Sequence, residues 1–292
     1  MPDSDLLPSW RPGPVRTAIL EFVRSVTTPG PSFVPPPERN AAFDNDGTLW
    51  CEKPVYAQAD FLLRRWKAMA LADPGRAAGQ PWKAVMADDQ EWLAGLLEHI
   101  PDVIKGVTEA YDGITVGAFD AEVRRFFDTQ RHPVLGVPYQ QTGFRPMREL
   151  VGLLQASEFT VYVCSGGGRD FVRVVSPEMY GIPRQQVIGS GTTLEYRDGE
   201  VYRTRGVDEP IDDGPGKPVH IWTRTGYRPL LAGGNADGDI AMLETARLAV
   251  LIRHDDAGRE FAYDAGAQRA LAAAAERDWL VVSMKDDFAE VF

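Results

Sequence analysis

The sequence predicts an α/β fold with a mostly parallel sheet flanked by helices. From Gly143 onward, short apolar runs alternate with helix-period segments, the pattern of strands joined by right-handed helical crossovers. The segments richest in chemistry-bearing residues also fall at predicted strand ends, where such sheets bind ligands. A length of 292 residues suits one large domain or two, and 44% hydrophobic with 25% charged residues is the make-up of a globular protein.

Along the chain, Ala18, Ile19, Phe22, Val23 and Val26 keep helical spacing behind Pro14, so a helix is expected over Val15–Val26. A Pro/Gly linker, Pro29 to Pro37, leads to a strand at Ala41–Asp44. Helices are then expected at Tyr56–Leu71, Pro81–His99, Val103–Tyr111 and Val116–Thr129. After them come a helix near Arg145–Gln155, a strand at Phe159–Cys164 and a helix through Phe171 and Val174. Asp198-Gly199 between Thr/Leu/Tyr and Val/Tyr runs marks a hairpin over Thr192–Thr204. The remainder reads as helix Pro218–Arg224, strand Pro229–Ala232, helix Asp239–Ala246, strand Ala249–Ile252, helix Gly258–Glu276 and strand Trp279–Ser283.

The most informative segment is Ala42-Phe43-Asp44-Asn45-Asp46-Gly47-Thr48-Leu49. Residues two apart in an extended chain point the same way, so Asp44 and Asp46 leave the strand end together. Two carboxylates that close repel unless a cation joins them or one keeps its proton, and either outcome suits catalysis. Three more segments stand at strand ends or helix starts: Cys164-Ser165-Gly166-Gly167-Gly168, Gly216-Lys217-Pro218, and Gly233-Gly234-Asn235-Ala236-Asp237-Gly238-Asp239.

In order and spacing these four segments resemble the motifs of haloacid-dehalogenase-superfamily hydrolases, in particular the phosphoserine-phosphatase-like branch with a helical cap inserted after the first motif. The resemblance spans about Phe43 to Leu243. It implies a Rossmann-like core of residues 1–50 and 144–292, with an N-terminal helical extension over 1–39, and a helical cap over 51–143. It also implies a Mg2+-dependent phosphatase acting on a small phosphorylated metabolite, in which Asp44 is the nucleophile and Asp46 the general acid and base. Ser165, Gly166 and Lys217 would meet the phosphoryl group, and Asp44, Asp46 and a residue of the last motif would hold Mg2+. Phosphate monoesters are among the most inert of esters in water, and enzymes supply up to about 10²¹-fold for such hydrolysis.

The last motif departs from the usual family pattern, because Asn235 stands where aspartate is common. Either Asn235 is the direct metal ligand with Asp239 supporting it, or Asp239 binds directly; the first is favoured. A neutral ligand implies weaker metal affinity than aspartate would give. Trp50, Cys51 and Glu52 form the expected hinge into the cap. Glu52 and Arg169 are candidate substrate-facing residues, although Glu52 lies one residue short of the spacing seen in phosphoserine phosphatases. Arg169 and Arg173 share a helix face and would meet an anionic substrate or pair with Asp88 and Asp89.

Other chemistries fit less well. A cysteine phosphatase needs Cys-x5-Arg, and the sixth residue after Cys164 is Asp170. The segment before Lys217 lacks a Walker pattern, and Phe171 replaces the third glycine of a dinucleotide fingerprint. Within the superfamily, a phosphotransferase or mutase, a phosphonatase, a dehalogenase or a catalytically silent phosphoryl-binding module are the alternatives; Asp46 speaks against a dehalogenase. A formal net charge of −11 argues against nucleic acid as a partner. No apolar run approaches the roughly 20 residues of a membrane helix. The first residues lack the basic start and apolar stretch of a secretory signal, so the cytoplasm is the expected compartment, with both cysteines reduced.

Overall fold

The computed structural model describes residues 6–208 and 210–292. Its main sheet has six parallel strands in the order β3-β2-β1-β6-β7-β8. These are β1 (Asn40–Phe43), β2 (Thr160–Gly168), β3 (Val187–Ser190), β6 (Leu231–Gly234), β7 (Leu248–Arg253) and β8 (Leu280–Ser283). The chain builds outward from β1 to β3, then returns to the other side of β1 and builds outward to β8. The order therefore reverses between β1 and β6, which opens a crevice beyond their carboxyl ends.

All four residues of β1 are buried, as befits a central strand covered on both faces. Phe43 pairs with Val163 of β2 and Gly233 of β6. Gly233 admits no side chain, since a Cβ there would lie 2.5 Å from the Phe43 ring. Helix α7 (Arg145–Ala156) shows why the periodicity was readable: Met147, Leu150, Val151 and Leu154 recur on one face and are fully buried. Each such side chain contributes about 1.5–3 kcal/mol through removal from water. Helix α11 (Gln268–Arg277) lays Ala270 and Ala274 against Leu251 and Met242 of the same core cluster.

The molecule divides into two compact units: Met1–Pro54, Arg131–Ser190 and Pro210–Phe292 form one, and Val55–Gln130 with Gly191–Glu209 form the other. The first carries the parallel sheet and α1 (Pro14–Thr27). The second holds α2 (Ala57–Ala72), α3 (Trp82–Ala87), α4 (Gln90–Ala94), α5 (Ile100–Ala110), α6 (Val116–Thr129) and the antiparallel hairpin β4 (Thr192–Arg197) and β5 (Glu200–Val207). The hairpin expected from Asp198-Gly199 is present, yet it belongs with the helices rather than with the sheet. Arg203 accounts for this: its main chain bonds Gly113 and Ile114, and its guanidinium lies 4.0 Å from the Phe119 ring centroid. Phe61 stacks on Tyr111 at 5.6 Å in the same unit.

Two expectations are corrected, and one strand is added. The helix over Pro81–His99 is broken, because Asp88 turns left-handed (φ 52) and the Asp89 side chain caps a new helix through the Trp92 amide. The helix over Gly258–Glu276 begins only at Gln268. Upstream, Asp256 captures the Gly258 and Arg259 amides, and Arg259 binds the main-chain carbonyls of Met284, Lys285, Phe288 and Ala289. Side-chain competition of this kind displaces a helical start. Strand β3 was not anticipated; only four residues long and containing Gly189, it gives too short a pattern. Among the described residues, no helix is long and apolar enough to cross a membrane.

Candidate active site

The crevice between β1 and β6 begins with the turn that follows Phe43. The Asp44 amide donates to Gly233 O at 2.9 Å, which carries the β1–β6 ladder one residue further. Asn45 O then accepts from Leu49 N at 2.8 Å, and Gly47 N donates to Trp50 O at 2.9 Å. Gly47 sits at φ 77, and a Cβ there would fall 2.1 Å from Asn235 Nδ2. Only glycine closes this turn. It leaves Asp44 buried, Asn45 fully buried and Asp46 half-buried at the end of the strand.

Lys217 enters from the first turn of α9 (Gly216–Thr225) and is buried. Its ammonium meets Asp44 Oδ1 at 2.6 Å, Asp239 Oδ1 at 2.7 Å and the Cys164 carbonyl at 3.0 Å. An ammonium has three hydrogens, and each has a protein acceptor. Burial by itself would lower the Lys217 pKa, but the Asp239 and Asp44 carboxylates hold it well above the ordinary lysine value. The Asp44 pKa is also raised well above the usual carboxylate range, first by burial and then by repulsion from Asp239; Lys217 offsets only part of this. Asp239 is fully engaged, because its Oδ2 accepts from the Asn235 and Ala236 amides at 2.9 and 3.0 Å.

Asp46 accepts from the Trp50 indole through Oδ1 at 2.8 Å. Burial raises its pKa, with the Trp50 hydrogen bond the largest opposing effect. Asn45 Oδ1 accepts from the Tyr180 hydroxyl at 3.0 Å. Ser165, at the end of β2, is buried, and its Oγ accepts from Gly167 N at 3.1 Å. Gly166 beside it is exposed. Thr48 Oγ donates to Asn235 Oδ1 at 3.1 Å, tying the first and last motifs.

The family model of haloacid dehalogenase-like hydrolases matches residues 41–244, more than two thirds of the chain and all four segments. The chain belongs to the haloacid dehalogenase-like hydrolases. Its fold resembles that of a conserved functionally unknown protein from Anaerococcus prevotii, with a TM-score of 0.59 and 14% identity, covering 92% of this chain and 91% of that one. A protein of unknown function from Bordetella pertussis matches with a TM-score of 0.53 and 16% identity, over 84% of this chain and 98% of that one. A probable phosphoserine phosphatase from Vibrio cholerae aligns with a TM-score of 0.48 and 16% identity, over 90% and 62% of the two chains. No protein of curated function matches the chain in sequence.

In this member of the haloacid dehalogenase-like hydrolases, Asp44, Lys217 and Asp239 are joined by direct contacts, and Asn235 lies against the turn that carries Asp46. Glu52 is buried beside Gly47, and burial is the first cause pushing its pKa up to about 7. The Tyr263 hydroxyl beside it and Lys53, 3.8 Å away, oppose that shift. Arg173 donates to Asp170 at 3.1 Å, and Arg169 lies 3.7 Å from the same carboxylate, so both face an acid of their own helix, α8 (Arg169–Tyr180).

Sequence reasoning did not single out Asp212 or Glu260 as parts of the site, and it placed the Arg253-His254-Asp255-Asp256 segment, at the end of a strand, only on the rim. Asp212 is fully buried, accepts from the Cys164 thiol at 3.3 Å and pairs with His220 Nδ1 at 2.8 Å. His254 Nε2 lies 2.8 Å from Gly47 O and its Nδ1 3.1 Å from Glu260. Both clusters join residues remote in sequence, and no local pattern announces them. Among the described residues, no three His, Cys, Asp or Glu side chains converge as a metal cage. In the last motif Asp239 is turned to Lys217, and Asn235 is an amide.

Proposed function

We propose that this hydrolase cleaves phosphate monoesters of small molecules through a covalent intermediate on Asp44, with Mg2+ as its cofactor. The observation that carries the reading is the buried Lys217 ammonium bridging Asp44 and Asp239 at the strand-order reversal. A fixed positive charge there aims the Asp44 carboxylate and favours its ionised form against burial and the Asp239 charge, as a carboxylate nucleophile requires.

A hard divalent cation suits the residues present. Asp44, Asp46 and Asp239 set three carboxyls against one ammonium, and repulsion from Asp239 and Asp46 adds to burial in raising the Asp44 pKa. The Asp44 carboxylate, the Asp46 main-chain carbonyl and the Asn235 amide oxygen would hold the ion, an all-oxygen set of the kind magnesium takes. Bound there, magnesium would offset the charge of the phosphoryl group. Ser165 and the amides from Gly166 onward would receive the phosphoryl oxygens near the start of α8. Asp46, whose pKa is raised by burial, would keep the proton that a departing alkoxide needs and then accept one from the attacking water.

Hydrolysis of p-nitrophenyl phosphate tests the reading. Turnover should require Mg2+, stop with a chelator, and fall by about 10³-fold or more in Asp44→Asn. No turnover of a broad panel of phosphate esters with Mg2+ would refute it.

A further inference from the structure

The first motif contains a contact that neither the nucleophile nor the metal set explains. Trp50 is buried, with 1% of its surface exposed, and its backbone is held within the same turn. Its amide donates to Asn45 O at 3.2 Å and its carbonyl accepts from Gly47 N at 2.9 Å. It also bridges to Gly143, and its ring meets the edge of Phe171 at 6.5 Å. A side chain fixed on all these sides has little rotamer freedom, so its N–H points where the fold puts it. That N–H lies 2.8 Å from Asp46 Oδ1.

An indole nitrogen donates and cannot accept, whereas a carboxylic acid carries a single hydrogen. Oδ1, facing the N–H, is therefore an acceptor whatever the protonation state of Asp46. The carbonyl oxygen of an acid is a stronger acceptor than its hydroxyl oxygen, so in the acid form this contact favours the hydrogen on Oδ2. Asp46 is half-buried while Trp50 is enclosed, and the Asn45 and Ser165 side chains also face the carboxyl group. We infer that Trp50 is a positioning residue for proton transfer: it reserves Oδ2 of Asp46 as the oxygen that gives and takes the proton.

The inference rests on Asp46 serving as general acid and base. As an Asp44 oxygen bonds to phosphorus and the bond from phosphorus to the leaving oxygen breaks, the Oδ2 hydrogen passes to the departing alkoxide. In the second displacement, water oxygen bonds to phosphorus, the bond from phosphorus to Asp44 breaks, and a water hydrogen returns to Oδ2. Without the indole N–H, Asn45 and Ser165 still face the carboxyl, but the donor that marks Oδ1 is gone, and either oxygen can hold the hydrogen in an unproductive direction.

Leaving groups separate this role from simple packing. p-Nitrophenolate departs without much help, whereas an alkoxide needs a proton. Positioned acid catalysis contributes about 10²–10⁴-fold, and partial loss of alignment should forfeit about 10–50-fold of it. The experiment compares kcat/KM for p-nitrophenyl phosphate and a simple alkyl phosphate in the parent protein, Trp50→Phe, Asp46→Asn and Phe171→Leu. The expected result is about a 10–50-fold loss on the alkyl ester in Trp50→Phe with about 3-fold or less on the nitrophenyl ester. Asp46→Asn should show the same selectivity more strongly. Phe171→Leu, which loosens the ring's packing but leaves the N–H, should lower Tm and keep the ratio of the two rates. If Trp50→Phe does not fold, benzothienylalanine at position 50 replaces N–H by sulfur at nearly constant shape and should give the same selectivity. Equal losses on both esters, or no loss, would overturn the role of Trp50. If instead Asp46→Asn shows no selectivity, or the parent turns over neither ester, the acid–base reading of Asp46 fails first.

Discussion

The turn from Asp44 to Trp50 and the segment from Ile211 to Lys217 both deliver functional side chains to one crevice, but they are built in opposite ways. The first closes on its own main chain within seven residues, through bonds to Asn45 O and Trp50 O. The second is held from outside. Asp212 is fastened by Cys164, His220 and the Ser190 hydroxyl, residues on β2, α9 and β3. A locally closed turn announces itself in sequence, whereas a remotely clamped one shows only the residue it presents, Lys217.

Removing the remote clamp should have the largest effect on stability. Asp212→Ala leaves Cys164 and His220 without their buried acceptor and should cost about 3–4 kcal/mol, read from urea unfolding midpoints. It should also lower turnover, because the Cys164 carbonyl that Lys217 binds moves with it. On the local side, Gly47→Ala combines a left-handed φ with a contact against Asn235 and should cost about 2 kcal/mol. If the order of these two losses is reversed, the turn, not the clamp, is the principal support of the site.

The smallest effect concerns Glu52. Its folded pKa is raised to about 7, so the folded chain keeps a proton that the unfolded chain releases at lower pH. Stability therefore falls as pH rises from the ordinary glutamate value to about 7, and the loss persists above it. Glu52→Gln removes that dependence. Relative to the parent it should gain about 1–2 kcal/mol between pH 5 and pH 8, measured by urea unfolding at both values.

The legible parts of the molecule share a short range. The central strand before Asp44, the apolar stripe of α7 and the Asp198-Gly199 hairpin turn are each encoded within a dozen residues, and the structure contains all three. What stayed hidden depends on tertiary partners. The hairpin's residence in the helical unit is set by Arg203 against Gly113 and Ile114, and the late start of α11 by Arg259 gathering carbonyls from the C-terminal segment. The four motif segments were readable because each stands at a strand end or helix start. The contacts that orient them, His254 on Gly47 and Trp50 on Asp46, were not.

The saturation of Lys217 has a consequence for how such a centre is held together. Every hydrogen of this lysine is committed to Asp44, Asp239 and Cys164. It behaves as a strut that fixes the separation of two acids, one directly after β1 and the other in the turn after β6. Because two of its three partners are the acids themselves, the ammonium holds that separation through charge as well as through hydrogen bonds.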